Sequence, residues 1–341
     1  MRKKYNPSKD LQESTANSYN YRIVMPLHIP NFEGYFKDAF TIFKMSLQSL
    51  YKTIHQKTAI TIVNNGSCDA VVDFLNDEFK KGTIHEVIHT EPIGKLNSLL
   101  KVLRNIEEEY VTVSDADVLF LNGWQDSTTQ VFNVFPKAGV VGIIPQFKLY
   151  TTFSYNLLFD NFFSKKLQFT KVINPEALIK FYKSIGWDDT YNKDYLKTNL
   201  TLESDTKVKA IVGSGHVVAT YKNEVFEQLP IENSTYQLGG NSERLYLDEP
   251  VLKTGGWRLT TNNNYAYHLG NVFEGWMLEE LNAINDESDR EIIKSSTVLL
   301  KSSKWKYNLK NHLFRKLLSR KSIFKRMLIR KGLDKTIAEK Y

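Results

Sequence analysis

The stretch VTVSDADVLF at residues 111–120 places two carboxylates directly after a run of β-forming residues. Residues 111–113 are β-branched, which favours a buried strand, and the apolar run resumes at Val118. Asp115 and Asp117 would repel each other beside such a strand unless a positive charge lay between them. Mg²⁺ or Mn²⁺ supplies that charge and bridges carboxylates to phosphate oxygens. The alternative is that both side chains cap a helix or close a turn.

Strand and helix patterns alternate on the N-terminal side of this stretch. The predicted elements are a strand at 21–30, a helix at 35–54, a strand at 58–67, a helix at 68–82, a strand at 84–90, a helix at 94–109 and a strand at 110–117. This alternation predicts a parallel sheet with helices on both faces. Because ligands bind at the carboxyl ends of such strands, we expect loops 25–34, 64–69 and 114–118 to surround one crevice.

Beyond residue 120 the alternation weakens. We predict a strand at 137–147, an aromatic and helical insertion near 150–205, a strand, glycine loop, strand and helix over 208–229, a strand with its loop at 256–271, and helices after 275. The predicted organisation is a flexible leader at 1–20, one domain at 21–275 and a basic helical region at 276–341. The domain divides into two halves at residue 120.

The composition is that of a globular protein, with 42% hydrophobic and 24% charged residues among 341. Cys68 is the one cysteine, so no intrachain disulfide or cysteine-based zinc site is expected. A lone cysteine fits a reducing compartment, residues 1–20 lack the apolar segment of a signal peptide, and no stretch is apolar enough to span a bilayer. We therefore expect a cytoplasmic protein.

The net charge of +7 is concentrated near the C-terminus. Thirteen Lys or Arg occur between Lys301 and Lys335, against one acid, Asp334. A helix over 305–333 would align residues 314, 317, 318, 324, 328 and 329 as an apolar stripe. The pattern predicts either peripheral binding to an anionic membrane or a helix packed on its own domain with a solvated basic face. Nucleic acid is not expected as a partner, because no recognition module is present.

Four segments resemble, in order, those of GT-A fold glycosyltransferases of the inverting family 2 type. They are RIVMPLHIP (22–30), ITIVNNGSCD (60–69), GKLNSLLKVL (94–103) and VSDADVLF (113–120). The resemblance covers roughly residues 21–275, and it implies that residues 21–120 form a nucleotide-binding half and residues 121–275 an acceptor half. It implies an α/β, Rossmann-like fold with a mostly parallel sheet flanked by helices, followed here by a helical C-terminal extension. It also implies single-displacement transfer of a sugar from a UDP- or GDP-linked donor to a glycan or lipid-linked acceptor, as in polysaccharide biosynthesis.

The resemblance assigns roles to residues on the donor side. Pro26 and Leu27 would border the base pocket, and Lys95 would contact the diphosphate as a point charge. Asn65 lies where the family often has an Asp that bonds the base. Because an amide and a carboxylate differ in donor capacity, this departure leaves the choice between uracil and guanine open.

The resemblance also implies a site for Mn²⁺ or Mg²⁺. Asp117 would ligate the metal, and Asp115 would contact the donor ribose, the metal or its bound water. His268, in the segment YAYHLGN, resembles a late histidine that completes the metal shell, and a neutral imidazole is a suitable ligand for Mn²⁺. The alternative for His268 is a structural histidine with satisfied hydrogen bonds.

On the acceptor side, LYLDEPV (245–251) resembles the acidic segment that holds the general base. Asp248 is the predicted base, and Glu249 is the alternative because the register is ambiguous. A helix-start carboxylate is the structural alternative for both. His216, in GSGH (213–216), resembles part of the glycine loop beside the donor sugar and the acceptor. Trp257 and Trp276 are candidates for stacking on sugar rings or for core packing.

Three other functions compete with glycosyl transfer. A nucleotidyltransferase would carry a glycine-rich basic loop after the first strand, whereas MPLHIPNFEG (25–34) has a single Gly. A non-catalytic binding protein would be favoured by loss of the paired Asp or of the late acid, and both are present. A nicotinamide-dependent dehydrogenase is disfavoured because no G-x-G-x-x-G follows the first strand.

Overall fold

The computed structural model describes residues 19–188, 190–239, 241–290 and 302–340. Positions 1–18 of the predicted leader and residues 291–301 of the predicted helical region lie outside the described residues. The strands are β1 (Tyr21–Leu27), β2 (Thr58–Asn65), β3 (Glu86–Thr90), β4 (Tyr110–Ser114), β5 (Val118–Phe120), β6 (Ala138–Gly142), β7 (Leu167–Lys171), β8 (Thr198–Glu203), β9 (Lys209–Val212), β10 (Val218–Lys222), β11 (Trp257–Thr261) and β12 (Ala266–His268).

The helices lie mostly between these strands. They are α1 (Ala39–Thr53), α2 (Asp69–Lys81), α3 (Lys95–Leu103), α4 (Trp124–Val134), α5 (Tyr155–Asp160), α6 (Pro175–Ser184), α7 (Glu249–Lys253), α8 (Gly275–Ala283), α9 (Lys304–Asn308), α10 (Arg315–Leu318), α11 (Lys321–Arg330) and α12 (Lys335–Ala338). Short 3₁₀ turns occur at Gly34–Phe36, Leu149–Thr151, Lys193–Leu196 and Asn223–Gln228, and π-helical turns at Arg244–Asp248 and Leu309–Phe314.

One ten-stranded sheet runs through the described part of the chain in the order β3-β2-β1-β4-β10-β6-β11-β9-β8-β7. The four strands from residues 21–120 are parallel, as the alternating pattern predicts. From β10 onward the sheet is mixed, since β10 is antiparallel to both neighbours and β9, β8 and β7 are antiparallel to one another. The predicted α/β class is confirmed, and so is a helical C-terminal region.

The local sequence explains where several elements begin and end. All eight residues of β2 are buried, as expected for an inner parallel strand covered on both faces. Helix α2 ends at Gly82, which adopts a left-handed conformation with φ of 76° and so stops the helix. Helix α6 begins where the Asn174 side chain accepts a hydrogen bond from the Ala177 amide and Pro175 takes the first helical position.

The core lies on both faces of the sheet because neighbouring residues of each strand point in opposite directions. Ile23 and Met25 of β1 belong to one apolar cluster, while Val24 belongs to another with Val63 and Val113. A further two-stranded sheet pairs β12 with β5 in antiparallel fashion, and this pairing places His268 opposite Val118. The pairing therefore places His268 beside the segment between β4 and β5, which contains Asp115 and Asp117.

Two element predictions are wrong in part. Residues 150–205 are not only helical, because β7 and β8 extend the main sheet from within this insertion. Strand β7 is only partly buried, and its sequence LQFTK does not show the regular alternation of apolar and polar residues that would have predicted a strand. Helix α3 stops at Leu103 and not at residue 109, because the following backbone turns toward β4 and the Ile106 carbonyl accepts a hydrogen bond from the Asn223 side chain.

The predicted single helix over 305–333 is divided into α9, a π-helical turn, α10 and α11. Phe314, Leu318 and Leu328 of the predicted stripe are buried in the main apolar cluster, whereas Leu317 is exposed. The stripe therefore packs largely on the protein itself. Among the described residues, no helix is both long enough and apolar enough to cross a bilayer.

Candidate active site

A cavity of about 580 Å³ opens at the carboxyl ends of β1, β2 and β4. The predicted residues that line it are Pro26, Leu27, Asn65, Lys95, Asp115, Asp117 and His268. The structure thus brings the donor-side and metal-side residues together around one space, as the strand topology predicts. His216, Asp248 and Glu249 are not part of this lining.

Asp117 and His268 are in direct contact inside the cavity. The imidazole Nε2 lies 3.2 Å from Oδ2 of Asp117, and Nδ1 lies 2.7 Å from the hydroxyl of Ser184. Because the Ser184 hydroxyl donates to the Phe181 carbonyl, we assign the Nδ1 proton to the bond with Ser184, which directs Nε2 toward Asp117. Burial alone would lower the pKa of His268, but the hydrogen bond and charge of Asp117 outweigh it and raise the pKa above its usual value.

Asp115 contacts a cation and not a histidine. Its Oδ1 lies 2.5 Å from Nζ of Lys95, the first residue of α3. Burial raises the pKa of Asp115, Lys95 opposes that rise, and the neighbouring charge of Asp117 adds to it. Burial would lower the pKa of Lys95, but Asp115 and the more distant Glu243 hold the pKa above its usual value. The two aspartates therefore have different partners, with Asp115 neutralised by Lys95 and Asp117 facing His268.

The pair Asp117 and His268 fits a divalent cation. Oδ1 of Asp117 is buried and makes no hydrogen bond, so the second carboxylate oxygen is an available ligand. In the described ranges no group of three or more His, Cys, Asp and Glu side chains is placed to hold a metal. Protein sites for Mg²⁺ and related ions commonly use one or two side chains and take further oxygens from substrate phosphates and water. Asp117 and His268 would match that pattern as ligands, while Asp115 is paired with Lys95.

Asp248 is buried, and one of its two carboxylate oxygens is engaged within the protein. Its side chain is 1% exposed, its Oδ1 accepts a 2.7 Å hydrogen bond from Nε2 of His216, and the same oxygen lies 2.7 Å from Nη2 of Arg258 in an ion pair. Arg258 is itself buried and donates to the Ser214 carbonyl. Oδ2 of Asp248 is buried and makes no hydrogen bond. The role of Asp248 as the general base therefore stays a prediction. Through Oδ1, Asp248 fixes His216 and neutralises Arg258.

Glu249, the predicted alternative, faces a different direction. It accepts a 2.8 Å hydrogen bond from Nε of Arg244 and begins the short helix α7. Asp248 ends a π-helical turn that precedes this helix, and one extra residue in such a turn changes the direction of the side chains on either side. The prediction of Glu249 as a base is not supported by any contact with the cavity residues.

Glu243 is a site residue that the sequence prediction missed. Its Oε1 lies 3.7 Å from Nζ of Lys95, and its Oε2 lies 3.5 Å from Nδ1 of His216. It therefore lies between the cation bound to Asp115 and the histidine held by Asp248, and it is about one third exposed. In the sequence Glu243 is an acid five residues before Asp248, but it lies outside the segment LYLDEPV that resembles the family's motif.

Asn65 uses its side-chain oxygen within the protein. Oδ1 accepts hydrogen bonds from the amides of Ile93 (2.7 Å) and Gly94 (3.1 Å), which shape the turn before α3. Nδ1 of the neighbouring His28 lies 2.7 Å from the Asn65 carbonyl. The cavity therefore meets Asn65 chiefly through its amide nitrogen, a hydrogen-bond donor.

Other cavity residues were also missed by the sequence prediction. Tyr35 and Phe36 belong to the first loop, and Gln237 and Leu238 come from a segment far away in sequence. The Gln237 carbonyl accepts a 2.9 Å hydrogen bond from the amide of Lys95. No periodicity marks such loop contacts, so the sequence pattern gave no signal for them.

Neither predicted tryptophan faces the cavity. Nε1 of Trp257 donates to Asp160 at 3.1 Å, and Lys137 lies over its ring. Lys180 lies 4.4 Å from the ring centroid of Trp276. Both rings are thus occupied by contacts within the protein.

Comparison with known proteins gives a family match and several distant structural likenesses. Residues 40–185 match the family model described as "Glycosyl transferase family 2". A search of curated proteins finds no match. The chain is similar in structure to the mannosyltransferase PcManGT from Pyrobaculum calidifontis in complex with GDP-Man and Mn²⁺, with 13% identity, a TM-score of 0.38, and coverage of 73% of this chain and 56% of that one.

Two further solved structures show likenesses of the same order. GalNAc-T7 with UDP, GalNAc and Mn²⁺ has 13% identity and a TM-score of 0.45, with coverage of 75% of this chain and 45% of that one. S. aureus TarS 1–349 in complex with UDP-GlcNAc has 11% identity and a TM-score of 0.40, with coverage of 94% and 69%. The chain spans less than two thirds of the length of PcManGT and GalNAc-T7. The match over residues 40–185 confirms the resemblance to family 2 glycosyltransferases that the sequence predicts.

Proposed function

We propose that the protein is a metal-dependent, inverting glycosyltransferase that moves a sugar from a UDP- or GDP-linked donor to a hydroxyl of a glycan or lipid-linked acceptor. The observation that carries this proposal is the contact between Asp117 and His268 at the carboxyl end of the parallel sheet, with Oδ1 of Asp117 buried and free of hydrogen bonds. A buried carboxylate oxygen without a partner is costly unless a cation or donor meets it there when ligand binds.

The cavity supports binding of a nucleotide diphosphate. Its base end is formed by Pro26, Leu27, His28 and Asn65, and its other end by Lys95 and the two aspartates. We propose that Lys95 supplies a fixed positive charge to the diphosphate, for which it must exchange part of its contact with Asp115. A divalent cation held by Asp117 and His268 would supply further charge to the leaving diphosphate.

Glu243 is the proposed general base. Asp248 is 1% exposed and its Oδ1 is engaged by His216 and Arg258, whereas the Glu243 side chain is about one third exposed and its oxygens lie 3.5 Å or more from His216 and Lys95, so they keep lone pairs available to an acceptor. The carboxylate would take the proton from the acceptor hydroxyl while that oxygen forms its bond to the anomeric carbon. The bond from that carbon to the diphosphate oxygen breaks in the same step, so the configuration at the carbon inverts.

His216 and Asp248 have positioning roles in this proposal. Since Asp248 accepts from Nε2, that nitrogen carries the proton and Nδ1 faces Glu243. The imidazole is held from behind by a carboxylate that Arg258 also fixes. His216 would therefore be held in a fixed orientation next to Glu243 and the acceptor hydroxyl.

A thermal-shift panel of UDP- and GDP-sugars, each with and without Mn²⁺, tests the function. We expect one base series to raise the melting temperature of the wild-type protein in a Mn²⁺-dependent way, since a ligand that binds only the folded state stabilises it. The stabilising donor is then incubated with candidate acceptors, and the anomeric configuration of the product is read by NMR. A protein that no nucleotide-sugar stabilises, or a product with retained configuration, would contradict the proposal.

A further inference from the structure

The C-terminal helices α9 to α11 present an unusually basic outer face. From Ser302 to Leu333 the sequence contains no acid. The members of this basic face are exposed cations that have no acidic partner among the described residues, namely Lys304, Lys306, Lys316, Arg320, Lys321 and Arg326. Other cations of the region serve the fold, since Lys310 pairs with Asp160 and Lys331 donates to two carbonyls. The basic face is therefore not needed to hold the helices in place.

Three large apolar side chains are exposed on the same helices. Trp305 and Leu313 are each 63% exposed and Leu317 is 44% exposed. They are distinct from the apolar residues that attach the helices to the domain, such as Phe314 and Leu318, which are buried. The helices thus bury one apolar side against the protein and leave a second apolar group among unpaired cations.

We propose that this outer face binds the surface of an anionic membrane, an inference that goes beyond the proposed function and stands without it. The cations would contact lipid phosphates, and Trp305, Leu313 and Leu317 would enter the boundary between headgroups and acyl chains. The cations indicate an anionic partner, because opposite charges attract. The exposed leucines indicate a partner with an apolar region in which they can be buried. A lipid surface supplies both, with no need for a membrane-spanning segment.

Nucleic acid fits the apolar part of this face less well. Proteins that bind single-stranded nucleic acid typically use aromatic side chains that stack on the bases. The exposed apolar side chains here are one tryptophan and two leucines. Leucine gains little beside a sugar–phosphate backbone but gains from leaving water for an acyl environment. Binding of the basic face to nucleic acid with no affinity for anionic vesicles would overturn the proposal.

Vesicle flotation of the full chain provides the first test. We expect the protein to float with phosphatidylcholine vesicles that contain about one third phosphatidylglycerol, and to stay at the bottom with pure phosphatidylcholine. Raising the salt concentration should release it, because screening weakens the attraction of each cation. Equal behaviour with both vesicle types would overturn the proposal.

Matched variants assign the binding to this face. Each cation near an anionic surface contributes roughly five-fold in affinity, so Lys316→Gln/Lys321→Gln should weaken vesicle binding roughly 20- to 30-fold. The control Lys57→Gln/Lys101→Gln removes two exposed lysines elsewhere and should change binding little. An equal loss in both double variants would overturn the assignment to α9–α11.

The apolar contribution has its own readouts. Leu313→Ser/Leu317→Ser should weaken binding several-fold, whereas the control Phe79→Ser/Ile173→Ser, which changes exposed apolar residues elsewhere, should not. Because all four side chains are exposed, melting curves should show all variants folded. Brominated lipids should quench the tryptophan fluorescence of the wild-type protein on vesicles, and Trp305→Phe should remove that quenching. Quenching that persists in Trp305→Phe would contradict insertion at this face.

Discussion

Nε2 of His268 lies 3.2 Å from Oδ2 of Asp117, and the contact joins two segments that are far apart in the sequence. The pairing of β12 with β5 makes it possible, since His268 lies opposite Val118, the residue after Asp117. The other oxygen of Asp117 is buried and has no hydrogen bond. An imidazole nitrogen and a carboxylate oxygen without a hydrogen bond thus belong to two side chains in contact, and a cation held there would take its further ligands from phosphate and water.

Asp117→Asn and His268→Gln should each remove the Mn²⁺-dependent part of nucleotide binding. An amide oxygen carries no charge and glutamine lacks the imidazole nitrogen, so both variants weaken the cation's attachment. Thermal shifts with UDP or GDP, measured with Mn²⁺ and with EDTA, give the readout. Asp77→Asn, which changes an exposed acid on α2, is the control and should behave as wild type. A full Mn²⁺ response in Asp117→Asn would exclude the site.

Glu243→Gln should lower kcat by about two to four orders of magnitude, the usual contribution of a general base, with little change in donor binding. Glu249→Gln is the matched control, because it removes a carboxylate six residues later that pairs with Arg244 outside the cavity. It should retain near wild-type activity. The reverse outcome, in which Glu249→Gln is inactive and Glu243→Gln is active, would return the base to the segment predicted from the sequence.

Asp248→Asn should destabilise the protein as well as slow it. Removing the charge leaves Arg258 buried without a counter-ion, and loss of one partner of a buried pair costs about 3–5 kcal/mol. Urea unfolding measures the difference. The double variant Asp248→Leu/Arg258→Met removes both charges and should recover much of the stability but not the activity, because His216 loses its support. Unchanged stability in Asp248→Asn would contradict the structural role.

The parallel half of the fold and its crevice were predictable because both follow from local patterns. The periodicity of strands and helices can be read from residues that are close in sequence. Because ligands bind at the carboxyl ends of parallel strands, Asn65, Lys95 and Asp117 could then be predicted to lie at one edge of the sheet without knowledge of side-chain contacts. The contact between Asp117 and His268 was accessible only through the family resemblance, since β12 pairs with β5 across a long stretch of sequence.

The acceptor side was not predictable to the same extent. The resemblance of a short acidic segment predicts the base at Asp248, but the sequence does not show that Arg258 pairs with Asp248 and that both side chains are buried. Glu243 lies in a helical turn directly before a π-helical turn, and the extra residue of a π-helical turn breaks the regular helical spacing from which side-chain directions are predicted. Loop contacts such as the Gln237 carbonyl with the Lys95 amide depend on tertiary packing alone.

Gly94 should be essential for the shape of the donor site. It has a φ of 90°, and a Cβ there would lie 2.6 Å from Cα of Gln237. Gly94→Ala should therefore displace the segment around Gln237 and weaken nucleotide binding as well as stability. Gly82→Ala is the matched control, because Gly82 also has a positive φ of 76° but meets nothing within 4 Å. It should lose about 1 kcal/mol of stability from backbone strain and keep nucleotide binding. Equal nucleotide affinity in both variants would contradict the close approach.

The attachment of the C-terminal region should be sensitive to acid through Asp160. Burial alone would raise the pKa of Asp160, but hydrogen bonds from Lys310 (2.5 Å) and Lys137 (2.9 Å) outweigh it and hold the pKa below its usual value. A carboxyl with a lowered folded-state pKa contributes stability above its unfolded value, near 4, and the contribution is lost as the pH falls through the folded value. Lys310 belongs to the C-terminal region, so this loss should loosen its contact with the domain.

Asp160→Asn should lower the melting temperature by a few degrees at pH 7, and the difference from wild type should shrink toward pH 3. The reason is that protonation of Asp160 in the wild-type protein removes the same charge that the substitution removes. Melting curves across this range give the readout, and Asp77→Asn, on a solvent-exposed acid, should track the wild type at every pH. A difference that stayed constant from pH 7 to pH 3 would mean that the carboxylate charge does not stabilise this contact.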